Sequence, residues 1–217
     1  MEKVEVEKFH LGVRVTHWLH SVLIIGFIVT GYGIYTGSYP FGDHAQYLAL
    51  HMIMGFIWVM ICLAHIYFMT VTGDRGSIWI SMKDIMHIIK IAKNVLKLSE
   101  DYPEYGTYDV EKKKFYKKYH PVVKIKYWVD QLCIGIAAIS GLALYYVSVF
   151  NYINSYLSVI GLGINMIWFR WIHFMVFLWF FCVLLFHCYL SFIPVNREIL
   201  KSMIYGKEDV EVHKQSH

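Results

Sequence analysis

The sequence predicts an all-α integral membrane protein: a four-helix bundle, a single membrane domain over residues 1–217, with an amphipathic helix between its second and third spans. Three observations carry that prediction. Of 217 residues, 57% are hydrophobic and only 17% charged, more apolar than a soluble domain of this length. Four apolar stretches reach the roughly 20 residues that a bilayer crossing takes. The charged residues cluster between those stretches instead of spreading over a surface.

The first span is read at about 16–36. It starts too far into the chain, with too many ring side chains, to resemble a cleaved signal peptide. The second is read at about 46–70, the third at 123–148 and the fourth at 167–192. Residues 82–98, MKDIMHIIKIAKNVLKL, alternate apolar and basic residues at helical spacing, as a helix lying on a lipid surface does. The remainder of that connection, DYPEYGTYDVEKKKFYKKYHP, is polar, charged and turn-rich. No internal repeat of fixed period is apparent.

Of the 20 Lys and Arg residues, twelve fall in the 72–126 connection, three before the first span and four after the last. The 37–46 and 149–166 loops hold none, and Arg170 opens the fourth span. Cytoplasmic loops are the ones enriched in Lys and Arg. Both termini and the long connection, with its amphipathic helix, are therefore expected in the cytoplasm, with the short loops outside. The expected location is the inner (cytoplasmic) cell membrane, crossed several times. The net charge of +4 follows from this asymmetry and gives no nucleic-acid signal.

Cys62, Cys133, Cys182 and Cys188 all lie in the expected spans, with no C-x-x-C pair and no C-x-x-C-H. That argues against iron–sulfur clusters and covalent haem in this chain. Histidine is more informative. His51 and His65 are fourteen residues apart on the second span, and His173 and His187 are fourteen apart on the fourth. Fourteen helical residues rise about 21 Å and return to within about 40° of the starting face. Each helix thus carries one histidine near each membrane side on a common face. Sorted by depth, His51 and His173 form an outer pair, and His17, His65 and His187 an inner set. Two stacked bis-histidine sites are what two non-covalent b haems take. Gly26, Gly31, Gly33, Gly55, Gly135 and Gly141 would leave room for a flat cofactor or for close helix packing.

Several runs resemble a known family: RVTHWLH at 14–20, HMIMG at 51–55, SGLALY at 140–145 and the fourteen-residue spacing of His173 and His187. They are similar to the di-haem cytochrome b subunits of membrane-bound nickel–iron hydrogenases and the gamma subunits of formate dehydrogenases. The resemblance implies that His17 and His187 hold an inner haem iron, and His51 and His173 an outer one. HIYFMTVTGDRGS at 65–77 resembles the hydrogenase cytochromes, which tend to have Arg where this chain has His65. PEYGTYDVEKKKFY at 103–116 resembles the formate dehydrogenase type, in which this segment helps form a quinone pocket. Asp109 stands there at an Asn position, and Glu111 and Lys112 replace a Gly-Gln.

The resemblance implies an electron-transfer membrane anchor in a respiratory chain. Its partners would be a periplasmic catalytic subunit, most simply a nickel–iron hydrogenase, and an iron–sulfur subunit, with membrane quinone as electron acceptor. The chain itself would not bind the primary substrate, though it would be the quinone-reducing subunit of the oxidoreductase. His20, His65, Asp109 and Asp130 are the candidates for the quinone site; Asp130 could instead pair with Lys126. A gamma-type subunit of a formate dehydrogenase or a thiosulfate/sulfur reductase is the alternative. A metal-ion or proton transporter is a further one, although transporter sites concentrate near the midplane on broken helices.

Overall fold

The computed structural model describes residues 2–102, 107–109, 114–116 and 118–212. Four long helices dominate: α1 (Leu11–Thr36), α2 (His44–Val71), α5 (Pro121–Tyr145) and α7 (Met166–Phe192). Their 26, 28, 25 and 27 residues make each long and apolar enough to cross a membrane. The expected spans sit within or close to these bounds. The third ends earlier than expected, at Tyr145. Between the long helices lie α3 (Arg75–Ile78), α4 (Met82–Val95) and α6 (Val147–Val159), and α8 (Arg197–Tyr205) follows the last of them.

Local chemistry fixes where the helices begin. Asp43 Oδ1 accepts from the Gln46 amide at 2.9 Å and Gln46 Oε1 accepts from the Asp43 amide at 3.2 Å. This is a capping box at the start of α2. Pro121 opens α5, where a missing N–H costs nothing. His10 and His120 each accept from the amide two residues on, at 3.2 and 3.3 Å. The expected amphipathic helix is α4, capped reciprocally by Ser81 and Asp84.

Chain contacts divide the molecule into two compact units. Unit one comprises Met1–Trp18, Cys62–Val129 and Leu190–His217. Val13, Met69 and Ile78 form its buried core with Phe68, Tyr119 and Tyr127 packed against them. Gly12 lets the Phe68 ring lie against α1, for a Cβ there would come within 2.5 Å of it. Two short antiparallel sheets, absent from the sequence expectation, complete the unit. β1 (Glu2–Glu7) pairs with β4 (Lys207–Val212) from Glu2↔Val212 to Glu7↔Lys207. β2 (Thr107–Asp109) pairs with β3 (Lys114–Tyr116) inside the turn-rich stretch; Glu111 and Lys112 lie outside the described residues.

Ion pairs tie unit one together. Lys8 meets Glu208, Lys118 meets Asp74 at 2.6 Å and Lys124 meets Asp84 at 3.1 Å. The end of α8 is held by Arg14, which donates to the Ile204 carbonyl, and Trp18, which donates to that of Met203. Gly206 then turns the chain at φ 89°, a left-handed conformation that glycine adopts without steric penalty. A side chain there would also crowd the Phe9 carbonyl and Arg14.

Unit two comprises Leu19–Ile61 and Asp130–Tyr189. It includes α6, a helix that starts at Val147, at the end of the expected third span, and runs through the first half of the 149–166 stretch expected to be a loop. The sequence VSVFNYINSYLSV has no charge and was too short to read as a span. Tyr146 breaks α5 from α6 with φ −99° and ψ 55°.

Burial alone would raise the Asp84 carboxyl, but hydrogen bonds from Ser81 and Lys124 and the lysine charge outweigh it and hold the group below its usual range. A depressed carboxyl contributes stability above its unfolded pKa, lost as pH falls through the folded value. Thermal unfolding of the wild type should therefore lose a component below about pH 4, and Asp84→Asn should be less stable at pH 7 and lack that component. Equal acid slopes for the two proteins would contradict this.

Candidate functional site

Unit two brings His51 and His173 face to face. Their ring centroids lie 6.2 Å apart, with the planes at 59°. Neither ring is unsupported. Thr30 Oγ1 on α1 is 2.8 Å from His51 Nδ1, and Ser140 Oγ on α5 is 2.9 Å from His173 Nδ1. Both hydroxyls donate back to their own helices, Thr30 to the Gly26 carbonyl at 2.8 Å and Ser140 to the Ile136 carbonyl at 2.6 Å. The next residue in each case is a glycine against the ring. A Cβ at Gly31 would lie 3.4 Å from His51 Cε1, and one at Gly141 3.2 Å from His173 Cε1.

The other candidate histidines are placed as follows. His20 Nδ1 accepts from the Trp58 indole at 2.7 Å. Trp58 packs on Phe27 and Phe180, and Phe27 sits edge-on to His51 at 5.0 Å. His65 belongs to unit one, with Nδ1 2.7 Å from Thr16 Oγ1 and its ring 6.2 Å from that of Tyr127. His17, edge-on to Trp18, falls in unit one, and His187, exposed on α7, in unit two. Asp130 in unit two accepts from the Trp179 indole at 2.9 Å. Asp109 lies on β2 in unit one.

Sequence reasoning missed the hydroxyl partners and the two tryptophans. The signal was present as a dipeptide. Thr30-Gly31 and Ser140-Gly141 are hydroxyl–glycine pairs 110 positions apart, and His10/His120 and Trp18/Trp128 recur at the same offset. Trp128 donates to the Ile78 carbonyl as Trp18 does to that of Met203. His20 and Asp130, also 110 apart, each accept from an indole. α1 and α5 thus play matching parts, a recurrence invisible to a search for short periods.

A family model described as prokaryotic cytochrome b561 matches residues 8–206. The chain belongs to that family. It is also 28% identical to the F420 non-reducing hydrogenase II cytochrome subunit of Methanosarcina mazei, over 94% of this chain and 83% of the relative.

Membership in the cytochrome b561 family implies haem b, and the residues of unit two fit one. Two in-line metal–imidazole bonds of about 2 Å, plus about 1.1 Å from each nitrogen to its ring centre, call for centroids about 6 Å apart. The observed 6.2 Å matches. Gly55, one turn beyond His51, faces open space, where a Cβ would meet nothing within 4 Å. The Tyr47 hydroxyl, one turn before His51, is buried without a hydrogen-bond partner among the described residues, a donor of the kind a haem carboxylate takes.

Gly141→Val should push the His173 ring aside and lower haem b content measured as the pyridine haemochrome. Gly76→Val, on α3 in unit one where a Cβ meets nothing within 4 Å, should leave that content near wild type. Equal content in the two variants would show that the close glycine is dispensable.

Proposed function

We propose that the chain is the di-haem b membrane anchor and electron-transfer subunit of a hydrogenase complex. It carries electrons from a periplasm-facing nickel–iron hydrogenase, through that enzyme's iron–sulfur subunit, to the membrane quinone pool. The observation that carries the reading is the facing pair His51 and His173 at 6.2 Å. The hydrogenase assignment is supported by the similarity to a hydrogenase cytochrome subunit.

When bound, haem b supplies a one-electron carrier whose potential the axial ligands and their surroundings tune. His51 and His173 would hold the outer iron. His17 and His187 are the proposed ligands of the inner one, His187 on its fourteen-residue spacing from His173 and both on the family resemblance. The asymmetry of Lys and Arg supports cytoplasmic termini, so the inner pair lies toward the cytoplasm. Phe27 packs beside His51, and Trp58 packs on Phe27.

The quinone site is proposed near the inner pair, on the cytoplasmic side. The Trp58 indole can only donate, so His20 Nδ1 accepts and its neutral ring carries N–H at Nε2, a donor suited to a quinone carbonyl. Asp130 is the candidate proton carrier, with Asp109 and His65 as further candidates. A carboxylate among apolar helices is costly and commonly functional.

Replacing His51 or His173 by Ala should each remove one of two haems, and replacing His17 or His187 the other, in the pyridine haemochrome assay. A variant among these four that keeps both haems would exclude that residue as a ligand. Recovery of the native complex with hydrogenase subunits tests the donor; formate dehydrogenase or sulfur reductase subunits in their place would overturn it.

For the acceptor side, Asp130→Asn and Asp109→Ala should keep haem reduction by hydrogen while hydrogen-to-quinone turnover falls at least tenfold. Turnover unchanged in both would put the quinone site elsewhere.

A further inference from the structure

We propose that Thr30 and Ser140 are positioning residues that fix the proton of each facing imidazole on Nδ1, presenting the Nε2 lone pairs of His51 and His173 for coordination. The inference rests on the reading of those two histidines as axial ligands.

Thr30 Oγ1 lies 2.8 Å from the Gly26 carbonyl oxygen and 2.8 Å from His51 Nδ1. Ser140 Oγ lies 2.6 Å from the Ile136 carbonyl oxygen and 2.9 Å from His173 Nδ1. Two oxygens that close need a proton between them, and a carbonyl has none to give. The hydroxyl proton therefore points into its own helix. Toward the imidazole the hydroxyl is then only an acceptor, so Nδ1 carries the N–H. In a neutral ring the other nitrogen keeps its lone pair. Thr30 and Ser140 are 4% and 1% exposed, so solvent does not compete for either bond.

Two comparisons within the chain show that this is a choice. His20 has the opposite arrangement, with an indole donating to its Nδ1 at 2.7 Å, and so presents an N–H where His51 and His173 present a lone pair. The locked arrangement is built twice, on α1 and α5, by a hydroxyl followed by a glycine. Thr16 holds His65 in the same way, donating to the Gly12 carbonyl at 2.9 Å, which supplies a control away from the facing pair.

A hydrogen bond from the far nitrogen raises ligand basicity and fixes ring orientation, and losing such a partner typically weakens metal affinity 10–100-fold. The haem-loaded protein should be compared with Thr30→Val, Ser140→Ala and Thr16→Val. The readouts are haem loss to excess apomyoglobin, low-temperature EPR of the ferric form, and a redox titration. In Thr30→Val and Ser140→Ala, one haem should be held about 10–100-fold more weakly. Its EPR g-values should shift and its midpoint potential should rise, because a less electron-rich imidazole stabilises ferric iron less. The second haem should keep its wild-type potential. Thr30→Ser and Ser140→Thr should restore wild-type behaviour, and Thr16→Val should leave the signals of the His51–His173 haem unchanged.

Wild-type spectra and potentials in both Thr30→Val and Ser140→Ala would overturn the proposal. Ser140→Ala only removes an atom and so remains informative if Thr30→Val misfolds. His51→Ala and His173→Ala separate the two levels. If both keep two haems, the ligand reading fails and takes this proposal with it. If each loses one haem while the hydroxyl variants stay wild type, the ligand reading stands and the proposal alone falls.

Discussion

Two imidazoles facing each other inside an apolar helix cluster are the constraint on which unit two depends. An imidazole N–H left without an acceptor there costs about 1–3 kcal/mol, and water is not at hand to relieve it. The acceptors must come from neighbouring helices, so α2 and α7 supply the rings while α1 and α5 supply the hydroxyls. Small residues must then follow the hydroxyls, since the rings lie within 3.4 Å of where a Cβ at Gly31 or Gly141 would stand. All four long helices are thereby bound to one register.

What the sequence disclosed depended on how local each signal was. The four long helices were legible because hydrophobic runs of this length have few alternatives. α4 was legible because apolar and basic residues alternate at helical spacing over 82–98. His51 and His173 could be paired because both lie on helical segments with a second histidine at the same spacing. The hydroxyl partners were not legible, since serine and threonine in apolar helices are common and only tertiary contact reveals which one meets a ring. β1 and β4 were missed for a similar reason. A short charged strand has no persuasive pattern until its partner, some 200 positions away, is known. α6 was hidden because it is too short for a span and lacks the charges that would mark a surface helix.

The two units answer different demands with different chemistry. Unit two pairs hydroxyls and one indole with imidazoles, and a second indole with the Asp130 carboxylate. Unit one has paired opposite charges, Lys118 with Asp74, Lys124 with Asp84 and Lys8 with Glu208, at the segments expected to meet water. The matching parts of α1 and α5 cross that division. Near its start each helix sends an indole to a carbonyl of a neighbouring segment, and further along each offers a hydroxyl to a histidine.

The pairing of β1 with β4 bears on the order in which the protein is made. β1 precedes every membrane helix in the chain and β4 follows all of them. During synthesis the first strand therefore waits, unpaired, until the fourth long helix has been inserted. Contacts between residues this distant in sequence form late, because the chain between them must be ordered first. The clasp between Arg14, Trp18 and the end of α8 waits with it. The β1–β4 pairing thus reports that all four helices have already been made.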